Sequence, residues 1–467
     1  MRIKYSERQL SGESFGDTRL RRRFQMICGQ LENRLKSTLP SVFQTRASTK
    51  AVYRFFDNKS VLPKMMIKSH WAEIMPALQN CGKQRLLQLS DTVEFDFSRK
   101  RSRQSLGPLN YPFRRGLRTH NSMIVRTDGV PMGLLDQSHH VRIDEDFGKS
   151  AERQSVPFED KESFRWLEHF LSGQSLCEQN PDLEVVYVAD RESDIMELFL
   201  GRTCERMHFV VRSKHNRKLE DKSSNLYPML SKQAVQGIYK VRLHDPQTLE
   251  QREATVELRF CKTALKLDKT LPRKKHLAAI ELFAIEAKEI DPPDNIKKAV
   301  HWVLLTTLPV HTLEDATLII RYYTIRWLIE RFHFLLKSGG ADIEELQLET
   351  SHRIQNAISA YSTAAFNVFK IRYLAQQNPN LPIYEAGITP IQHKVLYQYA
   401  NSKISSSIAY DPQKQPTMLE YCVVLGQLGG FIPSKRQPVP GLKILSRAVQ
   451  QLQILLDAYL LFYQRTE

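Results

Sequence analysis

The sequence predicts a mixed α/β protein with a helical region at each end, and three observations carry that expectation. Strand-like apolar runs alternate with a helical stretch between residues 85 and 212, a β-rich segment follows over about 215–305, and both ends show helical periodicity. At 467 residues, 42% of them hydrophobic, the chain holds roughly three domains' worth of material at ~150 residues each. The expected division is 1–73, helical; 74–372, α/β with the β-rich insertion; and 373–467, helical.

Taken in order, Asp17 is placed to cap a helix in which Leu20, Phe24, Ile27, Leu31 and Leu35 recur at helical spacing, leaving Arg21, Arg22 and Arg23 on other faces. Ser48 or Thr49 is expected to cap a second helix carrying Tyr53 and Phe56. Strands are expected at Arg85–Phe97 and Ser122–Arg126, the latter closing on the turn Asp128-Gly129. A helix around Ser163–Leu171 leads to Leu183–Ala189, an apolar run suited to a central strand that stops at Asp190, and residues 208–212 add another strand. Tyr239–Leu243, Ala254–Cys261, Ala278–Ile285 and Trp302–Leu305 read as strands, with Asp291-Pro292-Pro293 breaking the last two apart. A long helix is expected from a Thr312/Asp315 capping box to Gly339-Gly340. After a proline-marked linker over 376–390, the last helix carries Leu442, Leu445, Val449, Leu452, Leu456, Tyr459 and Tyr463 at 3-4 spacing, a seam for a partner helix or for the chain itself.

Composition narrows the function. The formal charge is +16, and residues 1–70 hold fifteen Lys and Arg against five acids. Further basic runs follow at Arg99, Lys100, Arg101, Arg103, Arg114, Arg115, Arg118 and at Arg212, Lys214, Arg217, Lys218, which favours a polyanionic partner. No apolar run approaches the ~18 residues of a membrane helix, and Met1–Leu10 has no signal-peptide core, so a cytoplasmic protein with no membrane partner is expected. The six cysteines lack metal spacing and read as reduced thiols. Gly12-Glu-Ser14-Phe-Gly16 has no strand before it, and Gly148-Lys149-Ser150 lacks the first P-loop glycine, Ile143 standing there; neither a hydrolase elbow nor a nucleotide cofactor is expected. His139-His140 reads as a surface loop.

Three acids stand where chemistry wants them: Asp91 within an apolar strand, Asp190 at the end of the most apolar one, and Glu330 on the long helix. At ~100° per residue, Tyr323, Arg326, Glu330 and Lys337 fall within ~60° of one another, with Leu328, Phe332, Leu335 and Leu336 opposite. Hard divalent cations prefer oxygen ligands, and two of them ~3.5–4 Å apart clamp the attacking and leaving oxygens of a phosphoryl displacement. Arg326 and Lys337 on the same stripe suit the phosphates of the scissile strand, and Tyr323 can donate a hydrogen bond to one.

Tyr323-x2-Arg326-x3-Glu330-x6-Lys337, together with Asp190-Arg191-Glu192-Ser193-Asp194-Ile195 and Asp91-Thr92, resembles the Tyr-Arg-Glu-Lys group of bacterial DDE transposases, in the insertion-sequence-four family. Ala51–Phe56, Phe209–His215, Trp302–Pro309 and Leu428–Phe431 extend the likeness over nearly the whole chain. The resemblance implies a ribonuclease-H-like core between a helical domain that binds the element's ends and a C-terminal domain that joins two protomers. It implies Asp91, Asp190 and Glu330 as catalytic ligands of two Mg²⁺ ions, with Mn²⁺ able to substitute, and a homodimer on double-stranded DNA, both the inverted-repeat ends and the target. The implied activity is cut-and-paste transposition: a nick, a DNA hairpin, its reopening by water, and joining of the 3′ ends to target. Trp302 falls where the family stacks a flipped base and Arg212 where it contacts the transferred end; Lys214, Arg54 and the Arg21–Arg23 cluster join the expected DNA contacts. Val93 departs from the family's second threonine after the aspartate. Two rival readings share these features: a ribonuclease-H-fold nuclease without strand transfer, and a non-catalytic DNA-binding protein or repressor derived from a transposase.

Overall fold

The computed structural model describes residues 15–79, 82–148, 156–221, 224–244, 251–267, 279–293, 296, 299–435 and 437–463. In chain order the helices are α1 (Thr18–Glu32), α2 (Leu39–Phe43), α3 (Arg46–Asp57), α4 (Pro63–Gln79), α5 (Phe164–Gln179), α6 (Met196–Gly201), α7 (Leu226–Ser231), α8 (Leu313–Ile325), α9 (Trp327–Lys337), α10 (Ser351–Gln377), α11 (Pro390–Lys403), α12 (Met418–Leu428) and α13 (Leu442–Tyr463). The strands are β1 (Gln84–Asp96), β2 (Gly107–Pro108), β3 (Arg115–Arg126), β4 (Pro131–His140), β5 (Leu183–Ala189), β6 (Met207–Arg212), β7 (Gly237–His244), β8 (Gln251–Lys266), β9 (Ala279–Glu289) and β10 (His301–Thr306). The chain is thus α/β, with mixed-sheet strands and helices at both ends. Among the described residues no helix is long and apolar enough to cross a membrane. Gly12 to Ser14, Lys149-Ser150, Cys81 and Ala278 lie outside the described residues.

The chain divides into two compact units, and neither is a continuous stretch of sequence. One holds Ala77–Asp91 and Ser150–Ile329; the other holds Gly12–Pro76, Thr92–Lys149 and Glu330–Glu467. In the first, the strand order is β1-β5-β6-β10-β9-β8-β7. β1, β5 and β6 run parallel, and β10, β9, β8 and β7 continue antiparallel. β5 is central because Val185 to Ala189 are all fully buried, as a strand covered on both faces must be. α5 packs on it through Phe170, whose ring meets that of Tyr187 edge-on at 5.5 Å. The approach needs a glycine: a Cβ on Gly173 would stand 1.8 Å from the amide oxygen of Gln88, whose nitrogen donates to the His169 carbonyl at 2.7 Å.

In the second unit β3 pairs antiparallel with β2 and with β4. Gly129, at φ +93°, closes the β3–β4 turn with its N–H donating to Arg126, as the Asp128-Gly129 pair predicts. α10, the longest helix, packs on α1, α3, α12 and α13. Phe24, Ile27, Leu31 and Leu35 are buried as their spacing requires, and the Asp17 carboxylate caps α1 by accepting from the Arg19 amide.

Three expectations are corrected, and a fourth that the sequence left open is decided. The second helix starts earlier than Ser48, because Thr45 caps it and its hydroxyl takes the Ser48 amide. The long helix is two helices, parted at Arg326. His139 and His140 end strand β4 instead of lying in a loop; the His139 ring meets Thr119 at 2.9 Å and Ser359 at 3.1 Å, and burial pushes its pKa down to about 3. The seam of α13 is occupied within its own chain, for Leu442, Leu445, Leu452 and Leu456 are buried where α13 packs on α10, α11 and α12.

Candidate active site

The parallel register of β1 and β5 builds the core of the site in the first unit. Their last paired rung is Leu89 against Val188, and on each strand two residues further along stands an aspartate, Asp91 on one and Asp190 immediately after the other. Neighbouring strands lie ~4.8 Å apart, so equal offsets set the two carboxylates side by side. Asp190 leaves the sheet into a short 3-10 turn, Arg191–Ser193, and its Oδ1 accepts the Glu192 amide at 2.8 Å. Burial, and then the negative charge of Asp91, raises the Asp190 carboxyl above its ordinary range; the Glu192 amide, Arg326 and Arg191 oppose the rise.

Arg326 meets this pair from the joint between α8 and α9. α8 opens on the expected capping box, Thr312 with Asp315, and at Arg326 the helical ladder gives way to tighter bonds: its N–H donates to Tyr323 and its carbonyl accepts from Ile329. The Arg326 guanidinium donates to Asp91 Oδ2 at 2.9 Å and lies 5.7 Å from the centre of the Tyr323 ring. Tyr323 is only 6% exposed and meets the half-buried Trp302 edge-on at 5.0 Å. The first unit therefore gathers Asp91, Asp190, Arg326, Tyr323 and Trp302. On the same unit Arg212 donates to the His301 carbonyl at 3.1 Å, and the Lys214 side chain is exposed.

Glu330 and Lys337 belong to the second unit, on α9. Glu330 is half-buried in the first turn, and Leu328, Phe332, Leu335 and Leu336 fill the buried side of the helix as expected. Lys337 donates to the Glu94 carbonyl at 2.9 Å and pairs with Glu344 at 3.0 Å. Arg21, Arg22, Arg23 and Arg54 are all exposed, on α1 and α3. Two carboxylates on adjacent strands are the donor chemistry that a hard divalent cation takes. Among the described residues, however, no group of three or more His, Cys, Asp or Glu side chains stands ready to hold a metal ion.

Sequence reasoning missed two supporting arrangements. Asp194, fully buried, accepts the amides of Lys214 at 2.7 Å and His215 at 3.0 Å and pairs with Arg217 at 2.6 Å, so it pins the basic segment that follows β6. Three residues after Glu330 on α9, His333 contacts Asn121 at 3.0 Å, whose side-chain carbonyl accepts from Gln137. The first had a signal, a second acid four residues after Asp190; the second had none, since His333 lies 212 residues from Asn121 in sequence. Several cations of the basic runs are paired: Arg114 with Asp96, Arg115 with Asp144, Arg118 with Glu94, Lys100 with Glu345.

A paired-aspartate sheet end with an arginine on one carboxylate, carried by a strongly basic chain, defines the class as a nucleic-acid-processing protein. Comparison with known families makes it specific. Residues 3–61 match the transposase DNA-binding family, and residues 172–367 match the transposase DDE domain. The chain is a DDE transposase, with its DNA-binding domain ahead of its DDE domain. The DDE match spans Asp190 and Glu330 and leaves Asp91 outside, while the DNA-binding match spans Arg21–Arg23 and Arg54. Among solved structures, the chain is similar to the cryo-EM structure of the piggyBac transposase synaptic complex with hairpin DNA, at 12% identity and a TM-score of 0.32, covering 88% of this chain and 82% of that one. A likeness of that extent is too slight to define a shared fold.

Proposed function

We propose that this DDE transposase works by cut and paste: it binds the inverted-repeat ends of its element, cleaves by metal-dependent phosphoryl transfer through a DNA hairpin, and joins the 3′ ends to target DNA. The observation that carries this reading is the matched pair Asp91 and Asp190, with the Asp190 carboxyl raised by burial and by its neighbour's charge. Two carboxylates held together in this way carry an excess of negative charge that a divalent cation relieves. On this reading the catalytic core is ribonuclease-H-like, Asp91, Asp190 and Glu330 are the ligands, and the ions are two Mg²⁺ with Mn²⁺ as substitute. When bound, such a pair activates the attacking oxygen and stabilises the leaving one.

The chain's own residues do the rest. Arg326, bonded to Asp91, orients that carboxylate and brings a positive charge to the place where a strand phosphate would lie. Lys337 and Arg212 neutralise further phosphates, Lys214 adds a flexible positive charge, and Trp302 presents an indole face to a displaced base. Tyr323, held between Trp302 and Arg326, sets the orientation of both. Arg21, Arg22, Arg23 and Arg54 engage the element's ends within a domain over 1–73, followed by a catalytic domain over 74–372 and a C-terminal domain over 373–467 that joins two protomers in the DNA-bound complex. The family placement is the insertion-sequence-four group.

The test is a linear DNA carrying the inverted repeats that flank this reading frame, incubated with Mg²⁺ beside an EDTA control and the Asp190→Asn and Glu330→Gln variants. Hairpins at the repeat boundary, absent from all three controls, and strand-transfer products are the expected result. Cleavage without joined products would indicate a nuclease, and binding without cleavage in Mg²⁺ and Mn²⁺ alike would indicate a DNA-binding protein that has lost catalysis.

A further inference from the structure

The hairpin tip between β2 and β3, in the second unit, shows two large aromatic rings to solvent. Tyr111 is 56% exposed and Phe113 74%, and their rings stack at 5.6 Å with an angle of 21°. Side chains of this kind normally bury themselves, and a displayed pair marks a surface that something covers. The tip is not loose. Leu109, fully buried, anchors it; the Leu109 amide donates to Arg114, and the Arg114 amide donates back to Tyr111. Asn110 ties it sideways, donating to Glu94 at 2.9 Å and accepting from Arg118 at 3.0 Å.

The surroundings indicate what covers the rings. From Phe97 to Thr127 the sequence has no Asp or Glu, while Arg99, Lys100, Arg101, Arg103, Arg114, Arg115 and Arg118 crowd into it. Arg99 and Arg101 are exposed, and Arg114 remains 39% exposed despite pairing with Asp96. The nearby acids Glu94 and Asp96 are each neutralised by an arginine. Flat π faces framed by cations suit nucleobases on a phosphate backbone, since every base has a π face and Arg holds the phosphates. We propose that Tyr111 and Phe113 form a base-stacking platform that takes unstacked bases of single-stranded or distorted DNA. The proposal rests on the transposase reading and adds to it a contact for DNA that is no longer paired.

The test uses the full-length protein and three labelled probes followed by fluorescence anisotropy: a twelve-nucleotide thymidine strand, an abasic strand of equal length, and a fully paired duplex. The wild type is expected to favour the base-bearing strand over the abasic one. The Tyr111→Ala/Phe113→Ala double variant is expected to lose about tenfold or more on the base-bearing strand alone, within the range that stacking contributes. Phe113→Trp is expected to keep the preference. Unaltered thermal unfolding of the double variant would establish that exposed rings, not folding, were removed. A double variant that keeps the wild-type preference, or a wild type without one, overturns the platform. A wild type that binds none of the three probes at low salt overturns the transposase reading itself.

Discussion

Asp194 and Glu32 show what single buried charges contribute. Asp194 has every oxygen engaged by Arg217 and the amides of Lys214 and His215. Asp194→Ala strands the arginine and two amides, and the expected loss is about 3–5 kcal/mol in urea unfolding; a loss below 1 kcal/mol would remove Asp194 as the anchor of that segment. Burial raises the Glu32 carboxyl from 4.5 to about 7, with an Asn367 hydrogen bond opposing and Glu73 adding to the rise. Below pH 4.5 folded and unfolded chains both hold the proton. Between 4.5 and about 7 the unfolded chain releases it first, so stability falls as pH rises, and above 7 the full penalty applies. Glu32→Gln is therefore expected to stabilise by on the order of 2 kcal/mol at pH 8 and by almost nothing at pH 4; equal effects at both pH values would assign the gain to something other than ionisation.

At the scale of elements, periodicity predicted the helices and left their neighbours open. α13 has the heptad-like seam that its sequence displays, but its leucines face α10, α11 and α12 of the same chain. Leu452→Lys is thus expected to destabilise the second unit by about 3 kcal/mol or more, read as a lowered unfolding midpoint in the free protein. An unchanged midpoint would mean that the seam serves another chain. The break at Arg326 was invisible to a wheel drawn at constant pitch, because residues on both sides favour helix and the interruption consists of a guanidinium reaching Asp91 on a different strand. By contrast the Thr312 cap was legible, since a capping box is written within four residues. Thr312→Ala is expected to cost about 1 kcal/mol, measurable by the same unfolding assay; no change would make the cap dispensable.

At the scale of the molecule, the charge of +16 sets how the chain meets DNA. Binding to duplex DNA is expected to weaken steeply with salt, and replacing Arg21, Arg22 and Arg23 together with Ala should flatten the plot of log K against log salt by up to ~2.7, about 0.9 for each phosphate no longer neutralised. An unchanged slope would take that exposed cluster off the DNA. The many paired arginines after β1 argue that the raw count overstates the free charge, for Arg114, Arg115 and Arg118 already answer acids of the same unit.

The sequence by itself determined whatever is local or periodic: the strand ending at Asp190, the Asp17 and Thr312 caps, the Asp128-Gly129 turn, the buried leucines of α9 and the sign of the charge. These follow from hydrogen bonds within four residues and from alternation that one strand or helix carries alone. Only the tertiary structure decided that Asp91 and Asp190 share a register, that Arg326 parts two helices to reach Asp91, that α13 packs at home, and that Tyr111 and Phe113 face solvent. Each of those depends on partners far off in the chain or on the absence of any cover. No spacing rule records either, because burial is a property of what the fold brings alongside.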